Sequence, residues 1–140
     1  MQLNKWDQRF LDLAGHVAGW SKDPSTQCGA VIARPDKTIA SLGFNGYPQG
    51  VEDEFLADRE YKLQRVIHAE MNALLFLRER AYGYFLYTAP FGPCARCAAH
   101  IIQAGISTVV TSAGPPDRWK ESLDVTRELF KQAGVQFLEL

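Results

Sequence analysis

Cysteine is scarce: three residues in a chain of 140. An odd number does not build a closed disulfide framework, and two of the three are spaced C-x-x-C, which in a reducing setting suggests metal or redox chemistry. Long apolar runs are also missing. No stretch approaches the roughly 18 apolar residues of a membrane span, and the opening "MQLNKWDQRF" lacks the apolar core of a signal peptide. The expectation is a cytoplasmic protein with no membrane partner. Charge of one sign is absent too: 15 Lys+Arg stand against 16 Asp+Glu, a formal net charge of -1 with no basic block. That excludes a grip on long nucleic acid by counterion release, so no polynucleotide partner is expected, though a local pocket for one phosphate remains compatible. Low-complexity runs, internal repeats and linkers are missing as well, which leaves residues 1–140 as one domain with one core.

What is present is a regular alternation of patterns. Trp6, Phe10, Leu13, Ala14 and Val17 recur at helical spacing, so residues 5–20 read as a helix packed on one face. Asp23-Pro24 breaks it. "CGAVIAR" (28–34) and "TIASLGFN" (38–45) are β-rich and separated by "PDK", a hairpin. "GFNGYPQG" is a turn-rich loop, and 52–65 mixes loop with short helix. A second helix is predicted over 68–80, with Ala69, Ala73, Leu74 and Leu77 on its buried side. "YFLYTAP" reads as a strand, 94–104 as a short helix stopped at Gly105, "STVVTS" as a strand, "DRWKESLDVTRELFKQAG" as a helix ending at Gly134, and "VQFLEL" as the last strand. The order α-β-β-α-β-α-β-α-β implies an α/β fold: a mixed five-stranded sheet with helices on both faces.

Two short motifs carry chemistry. Cys94 and Cys97 follow Pro93 at the start of a helix, where i, i+3 spacing puts both sulfurs on one face and the helix N-terminus favours thiolates. Two thiolates are half of a tetrahedral zinc site, and His68, at the start of another helix, is a candidate third ligand. Three protein ligands leave a fourth position for water, the catalytic arrangement. Glu70 is then suited to move that water's proton. Competing readings exist for each element. The C-x-x-C alone would serve a redox pair, but it comes late in the chain rather than after a first strand. It would also serve a structural zinc site completed by Cys28 and a histidine, whereas Cys28 opens a β-rich run and reads as a small core residue. His16 and His100 lie on helices without partner motifs and read as structural or solvent-facing.

His68-Ala69-Glu70 with Pro93-Cys94-Ala95-Arg96-Cys97 resembles the H-x-E…P-C-x-x-C signature of zinc-dependent nucleobase deaminases. The likeness extends further: "SKDPSTQCGAVIARPDKTIASLGFNGYPQGVEDE", "VIHAEMNAL" and "PCARCAAHIIQAGISTVV" together resemble the deoxycytidylate (dCMP) deaminase family of the cytidine deaminase superfamily. The zinc motif specifies the superfamily, while "DPSTQ", "GFNGYPQG" and "IIQAGI" favour the dCMP branch.

That resemblance implies a three-layer α/β/α sandwich with the hairpin strands antiparallel and the others parallel. It implies Zn2+ held by His68, Cys94 and Cys97, Glu70 as proton shuttle, attack of water at C4 of cytosine and loss of ammonia, converting dCMP to dUMP. It implies that the Ala69 backbone N–H binds the pyrimidine O2 and that Asn45 contacts the sugar hydroxyl. For Asn45 the plainer reading is a turn residue tolerant of left-handed geometry. It further implies a homo-oligomer, often a hexamer, and switching by dCTP and dTTP through the "GFNGYPQG" region. The chain departs from the family pattern at "LQRV", where members carry an aromatic-rich stretch, and at "TSAGPPDRW", where they carry an "SDKYHD"-like run. Both stretches are expected near the substrate. Arg65 and Lys22 are therefore candidates for the phosphate, against the alternative of solvated surface charge, and Trp119 for stacking on a base, against a core role set by its spacing from Leu123. Deamination of another small aminated nucleoside, free base or related heterocycle is the alternative chemistry. A zinc-containing nucleotide sensor without turnover is the alternative class, although zinc binding alone does not need Glu70.

Overall fold

The computed structural model describes residues 3–140; Met1 and Gln2 of the opening stretch lie outside the described residues. The first helix, α1 (Lys5–Ala18), starts at a capping box. Asn4 Oδ1 accepts the Trp6 and Asp7 N–H groups at 2.9 Å each, and Asp7 Oδ2 accepts the Asn4 N–H at 3.1 Å. One face of α1, built from Phe10, Leu11, Ala14, Val17 and Ala18, is buried.

Strands β1 (Gly29–Ala33) and β2 (Ile39–Phe44) form the expected hairpin, and β3 (Phe85–Ala89), β4 (Thr108–Thr111) and β5 (Gln136–Glu139) complete a five-stranded sheet in the order β2-β1-β3-β4-β5. β1 runs antiparallel to both its neighbours, whereas β3, β4 and β5 are mutually parallel. All five residues of β1 are buried, as a central strand covered on both faces requires. On one face Phe10, Leu11 and Ala14 of α1 pack against Val31, Tyr87 and Val110. On the other, Ala30, Ile32, Leu86 and Val109 meet α3 (Ala69–Leu75), α4 (Ala95–Gln103) and α5 (Asp117–Ala133). The three-layer α/β/α sandwich with a mixed sheet is thus as expected. Among the described residues no helix is long and apolar enough to cross a membrane.

Glycine sets how closely the layers approach. A Cβ on Gly43 of β2 would lie 2.4 Å from the Ala69 carbonyl oxygen and 2.4 Å from the Ala73 nitrogen of α3. α3 therefore rests directly on strand backbone, tied down by Ser41 Oγ donating to the Ala73 carbonyl (2.7 Å) and Asn72 Nδ2 donating to the Phe44 carbonyl (2.7 Å).

The second predicted helix is shorter than its periodicity suggests. It ends at Leu75 with Phe76 as C-cap rather than running to 80. Leu75 at its end and Phe76 just past it are exposed, and the chain turns so that Glu79 reaches Arg34, the residue after β1, and the Tyr84 hydroxyl. The polar stretch before it contains one short helix, α2 (Arg59–Leu63), capped by Asp58.

Candidate active site

α3 and α4 both start at the same end of the sheet, and their N-caps are His68 and Cys94. His68 makes no side-chain capping bond, which leaves its ring free to turn toward the facing helix. Its Nδ1 lies 3.4 Å from Cys94 Sγ and 3.4 Å from Cys97 Sγ, and the ligating atoms of the three residues fall within 4.8 Å of one another. Zinc bonds of about 2.3 Å to sulfur and about 2.0–2.1 Å to nitrogen in a tetrahedron put S and N about 3.5 Å apart. The donor set fits zinc.

The protonation energetics point the same way. A hydrogen bond from Cys97, with the His68 imidazole, pulls the Cys94 thiol down to about 4. The same bond and burial push Cys97 up, so a second thiolate here requires a cation. Among the described residues no fourth His, Cys, Asp or Glu joins this cluster. Cys28 lines the adjacent cavity, half-buried against the core, and burial pushes its thiol up to about 12. His16 and His100 are exposed, as expected.

Glu70 lines the same cavity and is 4% exposed. Burial pushes its carboxyl above the usual carboxylate range, partly offset by His68 and a Thr88 hydrogen bond. A buried carboxylate with a raised proton affinity, beside an imidazole and two sulfurs, is equipped to accept and return a proton. Ala69, the first helical residue of α3, borders the cavity with a backbone N–H for which the helix supplies no acceptor.

Asn45 is 6% exposed and also lines the cavity. It is not left-handed; among the described residues the non-glycine positions with positive φ are Lys37 and Phe55. Its amide instead ties the wall together, Oδ1 accepting the Cys28 N–H at 2.9 Å and Nδ2 donating to the Thr26 carbonyl at 3.0 Å and Asp23 Oδ2 at 3.4 Å. Trp119 packs against the core and lines the cavity as well. It is half-buried, its ring 5.9 Å from that of His68 and 5.1 Å from that of Phe91.

Two expected residues are not brought to the cavity. Arg65 stacks over the Tyr61 ring at 3.5 Å and donates to the Tyr61 carbonyl, one helical turn back. Lys22 is exposed and pairs with Asp53 at 2.7 Å. The cations that do line the wall are Arg59, Lys62 and Arg118, none of which belongs to a recognisable motif. Their placement depends on contacts 39 and 92 positions apart in sequence, Lys62 with Asp23 and Arg118 with Thr26, which local pattern does not report.

The support for the cysteine loop also escapes sequence reading. On α5, Trp119 Nε1 donates to the Gly92 carbonyl (3.0 Å), Ser122 Oγ accepts the Ala95 N–H (2.9 Å) and Thr126 Oγ1 donates to the Pro93 carbonyl (2.8 Å). One face of a distant helix thus clamps the backbone on either side of Cys94.

A His/Cys/Cys donor set beside a buried carboxylate fits the class of zinc-dependent hydrolases. Comparison with known proteins narrows the class. Residues 4–113 match the model of the cytidine and deoxycytidylate deaminase zinc-binding region. An uncharacterized deaminase in the luxG 3' region of Aliivibrio fischeri is 46% identical over 138 residues, covering 96% of this chain and 92% of that protein. The deoxycytidylate deaminase of Mus musculus is 38% identical over 143 residues, covering 95% of this chain and 78% of the relative. In fold, the chain is similar to the dCMP deaminase of cyanophage S-TIM5 crystallised with dCMP and dUMP, with a TM-score of 0.82 at 24% identity over the whole of both chains. The chain belongs to the cytidine and deoxycytidylate deaminase family.

Proposed function

We propose that the protein hydrolytically deaminates dCMP to dUMP with release of ammonia, and that residues 1–140 act as one catalytic domain. The observation that carries this reading is Glu70, a buried carboxylate at the cavity wall beside the His68, Cys94 and Cys97 donor set. The likeness to deoxycytidylate deaminases over 95% of the chain supports the choice of substrate.

His68, Cys94 and Cys97 would hold the zinc, which would supply the Lewis acidity that brings the ionisation of water toward neutral pH. Glu70 takes one proton from the attacking water and passes it to the ring nitrogen, then takes the second proton from the hydroxyl newly formed at C4 and passes it to the amine as the C4–N bond breaks; its burial raises its proton affinity, which suits a group that must both accept and return a proton. The Ala69 N–H, spared by the helix, offers a donor for the pyrimidine O2. Asn45 presents its amide beside the sugar while holding the Thr26–Cys28 segment in place, and Trp119 with Phe91 forms an apolar wall for the base. A homo-oligomer, up to a hexamer, and a response to dCTP and dTTP belong to the same reading, as does a cytoplasmic setting. Light scattering with and without these nucleotides tests the first two.

Ammonia release from dCMP, CMP, deoxycytidine, cytosine and guanine tests the central claim. The expected result is turnover fastest with dCMP. Release only from unphosphorylated substrates rejects the substrate while leaving the chemistry intact.

A further inference from the structure

Four residues able to carry positive charge line the cavity: Arg59, Lys62, His68 and Arg118. Two are already engaged. His68 faces the sulfurs, and Lys62 Nζ lies 3.0 Å from Asp23 Oδ1 in a pair whose side chains are 11% and 5% exposed. Arg59 and Arg118 are different. Among the described residues neither has a carboxylate within ion-pair distance, whereas Arg34, Arg127 and Lys22 elsewhere all do. Even the acid next to Arg118 is turned away, since Asp117 pairs with Lys120 at 2.9 Å.

Arg118 is also oriented. Its Nη2 donates to Thr26 Oγ1 at 2.8 Å, which fixes the side chain across the cavity rim but uses a single N–H of its planar fork. The remaining donors are unspent, in a geometry that matches the oxygens of a phosphate. Thr26 is itself held, its N–H bonded to Asp23 Oδ1 at 3.3 Å and its carbonyl to Asn45. The rim arginine is therefore linked through one turn to the buried wall of the cavity.

Charge is distributed to match. The cavity lining includes the buried Glu70 carboxylate and the apolar rings of Trp119 and Phe91. Two unpaired guanidinium groups stand at exposed positions. A substrate that is neutral at its reacting ring and anionic at its other end fits that polarity.

We infer that Arg118, assisted by Arg59, recognises the 5'-phosphate of the substrate and so sets the preference for a nucleotide over a nucleoside. This rests on the nucleotide reading proposed above. Arg65 and Lys22, the cations that sequence alone suggested, have no part in it.

The test compares dCMP with deoxycytidine in the zinc-loaded protein. Arg118→Ala should lower the ratio of kcat/KM for dCMP to that for deoxycytidine by about ten- to a hundredfold, chiefly through KM for dCMP. Arg118→Lys should restore part of the ratio, because it keeps charge but loses the fork. Calorimetric titration gives a second readout: wild type should bind dUMP more tightly than deoxyuridine, and Arg118→Ala should erase that difference. If wild type prefers dCMP but Arg118→Ala leaves both differences intact, the inference is overturned and the deamination reading stands. If wild type takes deoxycytidine as readily as dCMP, the nucleotide reading fails and the inference falls with it.

Discussion

Thr126, fully buried on α5, donates its hydroxyl to the Pro93 carbonyl 2.8 Å away, one residue before Cys94 of the His/Cys/Cys cluster. The bond crosses 33 positions of sequence and fixes the backbone from which a ligand hangs. Thr126→Val keeps the shape but leaves that carbonyl without its donor, at a cost of about 1–3 kcal/mol. Chemical denaturation should show that loss, and competition with a chelator should show weaker zinc retention than in wild type. Unchanged zinc retention would mean that the cysteine loop is held by other contacts.

Asp23 and Lys62 form a buried ion pair, and Asp23 also accepts the Ser25 N–H at 2.8 Å. Removing one partner strands a charge. Lys62→Met is expected to cost about 3–5 kcal/mol, while the Asp23→Ala, Lys62→Met double variant should cost less than the sum of the singles. A denaturation cycle over the four proteins measures the coupling, and strict additivity would sink the assignment. Asp23→Ala alone should be the worst single change, since the turn that carries Thr26 and the wall that carries Asn45 lose their anchor with it.

Much of this molecule was legible in its sequence because the informative signals were local. Periodicity located α1, α4, α5 and all five strands to within a few residues, and two short motifs picked out the three side chains that the fold gathers, His68, Cys94 and Cys97. The failures have physical causes. Leu77 continues the helical pattern of Ala73 and Leu74 past Leu75, yet the helix stops there and the following segment is held by tertiary contacts of Glu79 with Arg34 and Tyr84, which local pattern does not report. Arg65 sits near His68 in sequence, but its guanidinium finds Tyr61 one turn back, a cation–π contact available without any ligand. Arg118 and Lys62 reach the cavity only through tertiary contacts, and sequence distance carries no trace of those.

Gly43 is where the sheet and α3 touch. A methyl group there would meet the backbone of Ala69 and Ala73, which has no flexible end to give way. Gly43→Ala is expected to destabilise by about 1–3 kcal/mol and, by displacing His68 and Glu70 together, to lower kcat by about tenfold or more. Gly15 on α1 is the control: a Cβ there meets nothing within 4 Å, so Gly15→Ala should stabilise by about 0.5–1 kcal/mol with activity unchanged. Thermal melts and steady-state rates on the two variants separate close approach from generic helix propensity.

Metal binding and proton transfer are assigned to different side chains, so they should come apart. Glu70→Gln retains the volume and the hydrogen-bonding capacity of the side chain but cannot accept a proton at neutral pH. It should keep about one zinc per chain while losing about 10²–10⁴-fold in kcat. Cys94→Ala and Cys97→Ala should each lose the zinc instead, because two donors cannot replace three. Cys28→Ala should keep it, since Cys28 borders the cavity without joining the ligand cluster. Elemental analysis beside ammonia-release rates decides all four. Zinc loss in Cys28→Ala would mean that a fourth side chain closes the metal's coordination, and with that corner blocked Glu70 would have no water to act on.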